Sequence, residues 1–257
     1  MADGQYYGAN ALLRSLAAHD WCVLAPHLKS VVVRPGAVLC EQHADISTVY
    51  FPETAVTSLS ERNGAVEAEI AIIGCDGLVG WPVVLGSEVA FHRAVVRLDG
   101  GTALACPASR LMEQCAASDT LAATLLRYVQ SITHQFSRSI VANLSAPVEA
   151  RLARWLLMLH DRSPGDTLAI THQELAAFLG VRRASVTDCL HILEGERMLR
   201  CTRGRVDIVD RRPLQNRAGE TYGVAEEAYR ALIGPFGKSD GTAPHAVKQT
   251  RTAVIGA

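Results

Sequence analysis

The residues best suited to chemistry lie in one short stretch, THQELAAFLGVRRASVTDCLHILE, at positions 171–194. Its arginines, hydroxyls and imidazoles are hydrogen-bonding groups that can contact the phosphates and base edges of a DNA duplex. Arg183 could donate two hydrogen bonds to guanine, and Thr187 could touch a base or a phosphate. Arg182 and Ser185 fall where backbone phosphates would lie. The stretch therefore indicates a polyanion-binding surface, provided that two helices present it.

Two short helical patterns around one glycine would position these side chains. Thr171 and Glu174 form a capping box, in which the hydroxyl accepts from the third helical amide and the carboxylate accepts from the cap amide. A helix is therefore predicted to begin at His172 and to end at Gly180, with a second helix from about Arg182. The predicted inward set, which is typical of a helix-turn-helix, comprises Leu175, Ala176, Leu179, Val181, Val186 and Leu190.

A helical wheel separates the second helix into two faces. The inward face contains Val186, Cys189, Leu190 and Leu193. The outward face contains Arg183, Ala184, Thr187, Asp188 and His191. Cys189 is interpreted as a small buried residue, with a redox switch as the alternative.

The following sequence, MLRCTRGRVDIVD, has β-like runs on both sides of Arg203 and Gly204 and predicts a hairpin with these two residues at its tip. Arg200, Arg203 and Arg205 could contact phosphates as a wing, while a purely structural hairpin is the alternative. Between Thr171 and Arg212 the sequence has eight arginines and six acidic residues, a small surplus of positive charge. The prediction of DNA contacts therefore depends on the positions of the arginines and not on bulk charge. The full predicted DNA-contacting set is Thr171, His172, Arg182, Arg183, Ala184, Ser185, Thr187, Asp188, His191, Arg200, Arg203 and Arg205.

The composition of the 257-residue chain is that of a globular protein, with 49% apolar and 20% charged residues. Its 25 Lys and Arg against 26 Asp and Glu give a formal charge of -1 and no global field for nucleic acid. No apolar run approaches the length of a membrane span, and the start MADGQYYGAN does not resemble a signal peptide, so we expect a soluble, cytoplasmic protein without membrane contact. The motifs GxSxG, HExxH, GxGxxG and the Walker loop are absent from the sequence, and an enzyme is not expected.

The seven cysteines are scattered, without a CxxC pair, and favour neither disulfides nor an iron–sulfur or zinc site. Cys40 with His43, and His19 with Cys22, have metal-like spacing but no second pair, so no metal is expected.

Two further regions organise the rest of the chain. Residues 30–106 contain short β-like runs between turn residues, which predict a sandwich, jelly roll or barrel. The segment Leu121–Leu144 lacks Gly and Pro and predicts one long amphipathic helix. Its stripe either packs on the chain's own β domain or pairs with its copy in a homodimer, and a small winged module, which binds DNA weakly alone, favours the dimer. The predicted dimer seam comprises Leu121, Leu125, Val129, Ile132, Phe136 and Ile140.

Near the C-terminus, ETYGVAEEAYRALI is compatible with a helix, and the last twenty or so residues are expected to be mobile because turn formers dominate them.

This order of parts resembles the cyclic-AMP receptor protein and FNR family of bacterial transcription regulators up to about residue 212. The helix-turn-helix is the most specific match, and RPGAVL, STVYFPETAV, GCDGLVG and HRAVVRL resemble the family's cyclic-nucleotide-binding fold. The resemblance implies an α+β chain with a double-stranded β-helix (jelly-roll) effector-like domain over 1–118, a dimerisation helix over 119–145 and a winged helix-turn-helix over 146–214. A partly disordered extension over 215–257 would follow. It also implies a homodimer that binds an inverted repeat in double-stranded DNA and contacts RNA polymerase.

Departures from the family pattern concern the effector. Gly80-Trp81 stands where nucleotide-binding members have Gly-Glu, and His92-Arg93-Ala94 stands near their Arg-Ser or Arg-Thr pair. A shift of one residue turns a strand side chain to the opposite face, so cyclic AMP in the usual mode is not expected. Trp81, His92 and Arg93 remain the candidate effector-pocket residues. No haem ligand is assigned, although Cys75 and His92 are of residue types that could serve, and no cofactor is expected. The FNR-like cysteine cluster is absent from the sequence, and Ala184 and Asp188 predict a different base preference. The alternative function is a small-molecule-binding regulatory module whose winged helix contacts protein.

Overall fold

The computed structural model describes Tyr6 and residues 8–64, 66–238 and 253–255. The strands are β1 Lys29–Val33, β2 Val38–Cys40, β3 Thr48–Pro52, β4 Val56–Asn63, β5 Val66–Ile73, β6 Arg93–Arg97, β7 Gly101–Pro107, β8 Thr167–Leu168, β9 Leu199–Thr202, β10 Arg205–Ile208 and β11 Ala253–Ile255. The α-helices are α1 Ala11–Arg14, α2 Ala18–Leu24, α3 Ala108–Ala117, α4 Asp119–Ser145, α5 Val148–Arg162, α6 His172–Leu179, α7 Arg183–Gly195, α8 Arg211–Ala218 and α9 Val224–Leu232.

The N-terminal half, together with β11 from residues 253–255, forms two four-stranded sheets. Their strand orders are β11-β1-β7-β3 and β2-β6-β4-β5, and only the β1–β11 pair among the described strands is parallel. Apolar side chains of both sheets and of the adjoining helices form the main core, which includes Val49, Phe51, Leu59, Ile73 and Leu78. The mixed helix and sheet architecture confirms the predicted α+β class.

The long helix α4 confirms the uninterrupted amphipathic helix predicted over 121–144. The Ser118 hydroxyl caps its N-terminus by accepting from the Leu121 amide, and Ala146 leaves the helix in an extended conformation before Pro147. This conformation is the one that a following proline favours, because its ring crowds a helical predecessor.

The predicted dimer seam is corrected by the structure. Four of its six residues, Leu121, Leu125, Val129 and Ile132, are at most 6% exposed and belong to the core of the chain's own β domain. Phe136 is half-buried against the same core, and only Ile140 is exposed. The alternative interpretation was therefore right for most of the stripe, because the bulkiest apolar row of α4 covers the open side of the β domain.

A second row of α4 faces solvent at alternating spacings of three and four residues. Its members, all exposed, are Ala123, Leu126, Gln130, Thr133, Ser137, Ile140 and Leu144. Leu126, Ile140 and Leu144 are 47%, 61% and 84% exposed, respectively. We call these seven residues the exposed seam; its apolar members sit near the two ends of the row, with polar residues between.

One buried side chain fixes α4 to the sheet. β5 is an outer strand of its sheet, so the backbone groups on its free edge need partners. The Gln135 carboxamide supplies two at once: its Oε1 accepts from the Ile72 amide at 2.6 Å, and its Nε2 donates to the Ile72 carbonyl at 3.1 Å. Gln135 is itself buried, so both bonds are shielded from water.

The C-terminal half has its own core, formed by α5, α6, α7, α8 and the three-stranded sheet β8-β10-β9. Trp155 and Phe178 pack with ring centroids 5.2 Å apart near its centre. Val56 and Ile72 of the β domain also belong to this cluster, so the two domains share apolar contacts.

Helix α9 confirms the helical interpretation of the ETYGVAEEAYRALI segment. The expected mobility of the last twenty or so residues concerns a segment of which only Ala253–Ile255 is described. Among the described residues, none of the helices combines the length and the apolar character that a bilayer crossing requires. In the same part of the chain, no three histidine, cysteine or acidic side chains cluster as metal ligands would.

Candidate nucleic-acid interface

Helix α6 begins with the predicted capping box. The Thr171 hydroxyl accepts from the Glu174 amide at 3.2 Å, and the Glu174 carboxylate accepts from the Thr171 amide at 2.8 Å. The helix ends at Gly180, which has φ 62° and ψ 36°, the left-handed conformation that glycine adopts without a steric penalty. These two signals fix the start and the end of α6 as the sequence predicted.

Helix α7 begins at Arg183 and presents an apolar face inward. Val186, Leu190 and Leu193 are fully buried in the C-terminal core, and Cys189 packs partly buried against it. Burial raises the pKa of the Cys189 thiol, with a further contribution from Asp188. A raised pKa disfavours the reactive thiolate, which agrees with the packing interpretation of this cysteine.

The outward face of α7 is open to solvent. Arg183, Ala184, Asp188 and His191 are exposed, and Thr187 and Ser185 are half-buried. Within the described part of the chain, the Arg183 guanidinium forms neither a hydrogen bond nor an ion pair. Its positive charge disfavours a second positive charge nearby. The burial of His172, helped by Arg183 and then His191, lowers the His172 pKa.

A hydrogen bond joins the two helices of this motif on the side of the outward face. His172 Nδ1 lies 2.9 Å from the Thr187 hydroxyl. Because a hydroxyl rotates freely, Thr187 can donate to the imidazole or accept from it. The bond orients Thr187, so the methyl and hydroxyl groups of this residue are presented in a defined direction.

The N-terminus of α7 has no side-chain cap. Arg182 occupies the cap position with φ -69° and ψ 144°, and its side chain accepts no amide hydrogen bond. The first amides of the helix therefore lack side-chain partners, and their partial positive charge suits an anionic oxygen. This feature leaves no signal in the sequence beyond a missing Ser, Thr, Asp or Asn at that position.

The wing is the hairpin of β9 and β10, paired antiparallel from Leu199 with Ile208 to Thr202 with Arg205. Arg203 and Gly204 form its turn, as predicted, with Gly204 at φ 74°. Arg200, Arg203 and Arg205 are all exposed. Arg205 Nη2 lies 3.9 Å from a carboxylate oxygen of Asp99, which belongs to the turn between β6 and β7.

Sequence reasoning did not single out Arg197. This residue lies between α7 and the wing, is exposed, and has φ 62°, a conformation that is uncommon for a side chain larger than glycine. The local density of arginines was the only available signal for it.

The candidate effector pocket lies within the β domain, on the side where Phe136 of α4 packs. Trp81 and His92 have ring centroids 6.3 Å apart, and Phe136 from α4 meets His92 edge-on at 5.5 Å. The remaining cavity is about 10 Å³, room for a single water molecule. It is lined by Cys40, Ile46, Leu59, Gly80, Trp81, Pro82, Ala90, Phe91, His92 and Ala94.

Arg93 does not share this pocket, which corrects its assignment as an effector-pocket residue. Its guanidinium pairs instead with Glu41 at 3.1 Å and lies 3.8 Å from Glu67. The physical reason is the alternation of a strand: His92 and Ala94 line the cavity, so Arg93 between them points to the other face.

His92 is the one pocket residue with an unsatisfied polar atom among those described. Its Nδ1 is buried without a hydrogen-bond partner, and the nearest carboxylate, from Glu61, lies 3.9 Å away. Burial lowers the His92 pKa, and Glu61 only partly opposes this effect. This shift favours the neutral imidazole.

Comparison with known proteins agrees with this geometry. Residues 150–217 match the family model of the Crp-like helix-turn-helix domain. No curated protein matches the chain. Among solved structures, a CRP-family transcriptional regulator from Thermus thermophilus is 16% identical, with a TM-score of 0.61 over 75% of this chain and 97% of that one.

Two further solved structures have the same fold. FixK2 from Bradyrhizobium japonicum is 15% identical, with a TM-score of 0.62 over 74% of this chain and 96% of its own. The c-di-GMP-responsive regulator CLP from Xanthomonas campestris is 15% identical, with a TM-score of 0.60 over 75% of this chain and 99% of its own. The chain therefore has the fold of CRP/FNR-family transcription regulators, and its residues 150–217 are a Crp-like helix-turn-helix domain.

Proposed function

We propose that this protein is a sequence-specific DNA-binding transcription regulator that acts as a homodimer on an inverted-repeat operator. The observation that carries the proposal is the outward face of α7, where Arg183 stands exposed and without an ion-pair partner among the described residues. An arginine in this position can donate two parallel hydrogen bonds to O6 and N7 of guanine in the major groove.

The neighbours of Arg183 support a distinct base preference. Asp188 can accept a hydrogen bond from the amino group of cytosine, and the Ala184 methyl can contact the thymine methyl. Thr187, oriented by His172, and His191 can each contact a base edge or a phosphate. We infer a half-site that contains a guanine, with the carboxylate of Asp188 rejecting bases that present only acceptors at its position.

Phosphate contacts would flank this row on both sides. The uncapped N-terminus of α7, with Arg182 and Ser185, suits one phosphate, and Thr171 and His172 at the start of α6 lie on the same motif. The wing arginines Arg200, Arg203 and Arg205 would contact phosphates beyond the reading helix. These contacts fix position and supply affinity but no sequence information.

The exposed seam of α4 supports the homodimer. Its seven residues follow the 3.5-residue period of a coiled coil, and none of them contributes to the core of its own chain. Two copies would bury Leu126, Ile140 and Leu144, which are otherwise left in water. Two winged domains would then meet two half-sites about one helical turn apart.

Introducing a charge into the exposed seam tests the dimer. Ile140→Glu is expected to shift the protein toward monomer at micromolar concentration, because it places two carboxylates in one apolar contact. Analytical ultracentrifugation measures the shift. Val23→Glu is the matched control, since Val23 is also exposed, at 41%, but lies on α2. If both variants dimerised equally well, the exposed seam would not be the dimer interface.

The effector pocket does not support cyclic AMP in the usual mode. Its lining offers neither a carboxylate for a ribose nor a cation for a cyclic phosphate among the described residues, and Arg93 is held outside by Glu41. We infer that the β domain is either structural or takes a small, largely apolar effector that displaces Phe136 and satisfies His92 Nδ1. From the family fold we also propose that the protein contacts RNA polymerase.

A mobility-shift titration against inverted repeats from the protein's own genome, repeated at several salt concentrations, tests the function. Specific retardation is expected, and Arg203→Ala should weaken binding to every sequence and reduce the magnitude of the salt slope by about one. Failure of every inverted repeat to be retarded specifically would overturn the proposal.

A further inference from the structure

A segment near the C-terminus runs from the winged domain to the β domain and back. The family match ends at residue 217, and α9 with its flanking loops follows. We call residues 219–238 the strap. It starts beside α8, whose Leu214 and Ala218 are buried in the winged-domain core. The strap therefore has one end anchored on the domain that carries α7.

The middle of the strap is anchored on the β domain. Tyr229 of α9 is 4% exposed and belongs to the β-domain core, and its hydroxyl donates to the Asp76 carbonyl at 2.7 Å. Phe236 packs against Tyr229 with the two rings tilted and their centroids 4.9 Å apart. The Arg162 guanidinium lies over the Phe236 ring, 4.9 Å from its centroid. These rings join the end of α5 to a loop of the β domain.

The end of the strap returns to the winged domain at one buried carboxylate. Asp161, whose side chain is fully buried, accepts from Arg211 Nη2 and from the Tyr222 hydroxyl, both at 2.5 Å. It also accepts from the Lys238 amide at 3.1 Å, while Lys238 Nζ lies 3.2 Å from Asp166. A single carboxylate thus fastens the beginning and the end of the strap.

Beneath the strap, the two domains are in direct contact. Arg162 of α5 forms a two-point pair with Asp76, at 3.0 and 2.5 Å, and both side chains are almost fully buried. Gly74 permits the approach, since a Cβ at that position would lie 2.7 Å from Arg162 Cβ. Arg97 of β6 lies over the Phe178 ring of α6 at 5.2 Å. This closed arrangement is therefore specific and not a loose encounter.

The closed arrangement has a cost for DNA binding. It places the exposed carboxylate of Asp99 beside the wing arginine Arg205, at 3.9 Å. A phosphate that approached Arg205 would meet this negative charge, and the arginine would have to leave its partner.

We propose that the strap is an intramolecular latch, which holds the winged domain against the β domain in a resting form of reduced DNA affinity. The inference rests on the proposed DNA-binding function and adds a regulatory element to it. If only a fraction of molecules is open, the apparent affinity for DNA falls by that fraction. Any event that releases the strap then raises the affinity without changing a DNA contact.

Truncation tests the latch. A chain that stops after Ala218 lacks the strap, and a chain that stops after Lys238 is the matched control, because it retains the strap. Hydrogen exchange of the peptide around residues 74–77 reports domain separation, since the Gly74 amide is held at 2.8 Å by the Asp76 carboxylate, which is itself held by Arg162 of α5. In the chain that stops after Ala218, exchange of this peptide should accelerate. Fluorescence anisotropy should show that the affinity of this chain for an operator is raised about tenfold. The control should match the full chain in both measurements.

Two sets of substitutions test the latch if the truncated chain no longer unfolds cooperatively. Tyr222→Phe combined with Lys238→Ala removes the hydroxyl bond to Asp161 and the Nζ bond to Asp166, and keeps Tyr229 in the core. Asp99→Asn removes only the charge beside the wing. Both variants should bind the operator several times more tightly, with accelerated exchange only in the first.

The outcomes separate the two proposals. Faster exchange with unchanged or weaker DNA binding would show that the strap is structural and overturn the latch, as would unchanged exchange. Absence of specific DNA binding by the full chain and by every variant would overturn the proposed function, while the exchange data would still show whether the strap closes the domains.

Discussion

The two faces of the winged domain use arginine in opposite ways. On the face toward the β domain, Arg162 is 4% exposed and bound on two points by Asp76. On the opposite face, Arg183 and Arg203 are exposed without an acid partner among the described residues. Buried arginines with partners join domains, whereas exposed ones remain available to an external anion. The difference lies in surroundings and not in residue type.

The largest expected effect is on the buried pair. Arg162→Met should lower the free energy of unfolding by about 3–5 kcal/mol, because it leaves the Asp76 carboxylate buried without its counter-ion. Urea denaturation measures the loss. The double variant with Asp76→Asn should recover part of it, and Arg183→Met should change stability by less than about 0.5 kcal/mol. Equal losses for Arg162→Met and Arg183→Met would remove the distinction between the two faces.

The second effect concerns the outward face. Arg183→Ala should cost about 1–3 kcal/mol of binding free energy at the operator and leave the unfolding free energy unchanged, because its guanidinium contacts DNA and not the protein. Isothermal titration with operator and mismatched duplexes measures both affinity and specificity. Arg110→Ala, an exposed position on α3, is the control and should leave binding unaffected.

The sequence predicted the local elements of the reading motif well. The capping box of Thr171 and the helix end at Gly180 depend on neighbouring residues only, so they could be inferred from spacing. The environments of the arginines depend on contacts distant in sequence: Arg162 and Asp76 are 86 positions apart. No local pattern could have indicated that Arg162 is buried and Arg183 is not.

The same limit explains the dimer seam. The strongest apolar stripe of α4, beginning at Leu121, was predicted to face a second copy, but the β domain covers it. The exposed seam is weaker as a pattern, because Gln130, Thr133 and Ser137 interrupt it. Hydrophobic periodicity identifies a buried face without specifying what buries it.

A smaller effect is expected at the turn that aims α7. Gly180→Ala should lower the free energy of unfolding by about 1 kcal/mol, since alanine is strained at φ 62° although no atom obstructs its Cβ. Thermal denaturation measures it. Gly165→Ala is a matched control, because that glycine also has open space but no positive φ, and it should be close to neutral. If both substitutions had equal effects, the backbone conformation of Gly180 would not be the cause.

The smallest effect concerns pH. Burial lowers the His160 pKa, although Asp166 raises it in part. The neutral ring fits its neighbours, since its Nδ1 accepts from Arg211 at 2.8 Å and its Nε2 lies 2.8 Å from Asp166 Oδ1; Lys238 also faces this group. Above about pH 6.5 both folded and unfolded chains hold a neutral ring, so stability is unaffected.

As pH falls below that value, the unfolded chain gains a proton that the folded chain does not, and stability should decrease until the folded pKa is passed. The Tm measured between pH 8 and pH 5 should therefore fall less in His160→Gln than in the unaltered protein. Parallel curves for the two proteins would exclude His160 as a source of the pH dependence.

The Gln135 carboxamide has a mechanical consequence. The Gln135 carboxamide binds both the amide and the carbonyl of one residue, Ile72. A shift of α4 along the strand by a single position would therefore break both hydrogen bonds at a site shielded from water. The helix and the sheet must then translate as one piece. A displacement that begins in the β domain would therefore move α4 with it, as far as Ser145 next to the winged domain, without being absorbed by slippage.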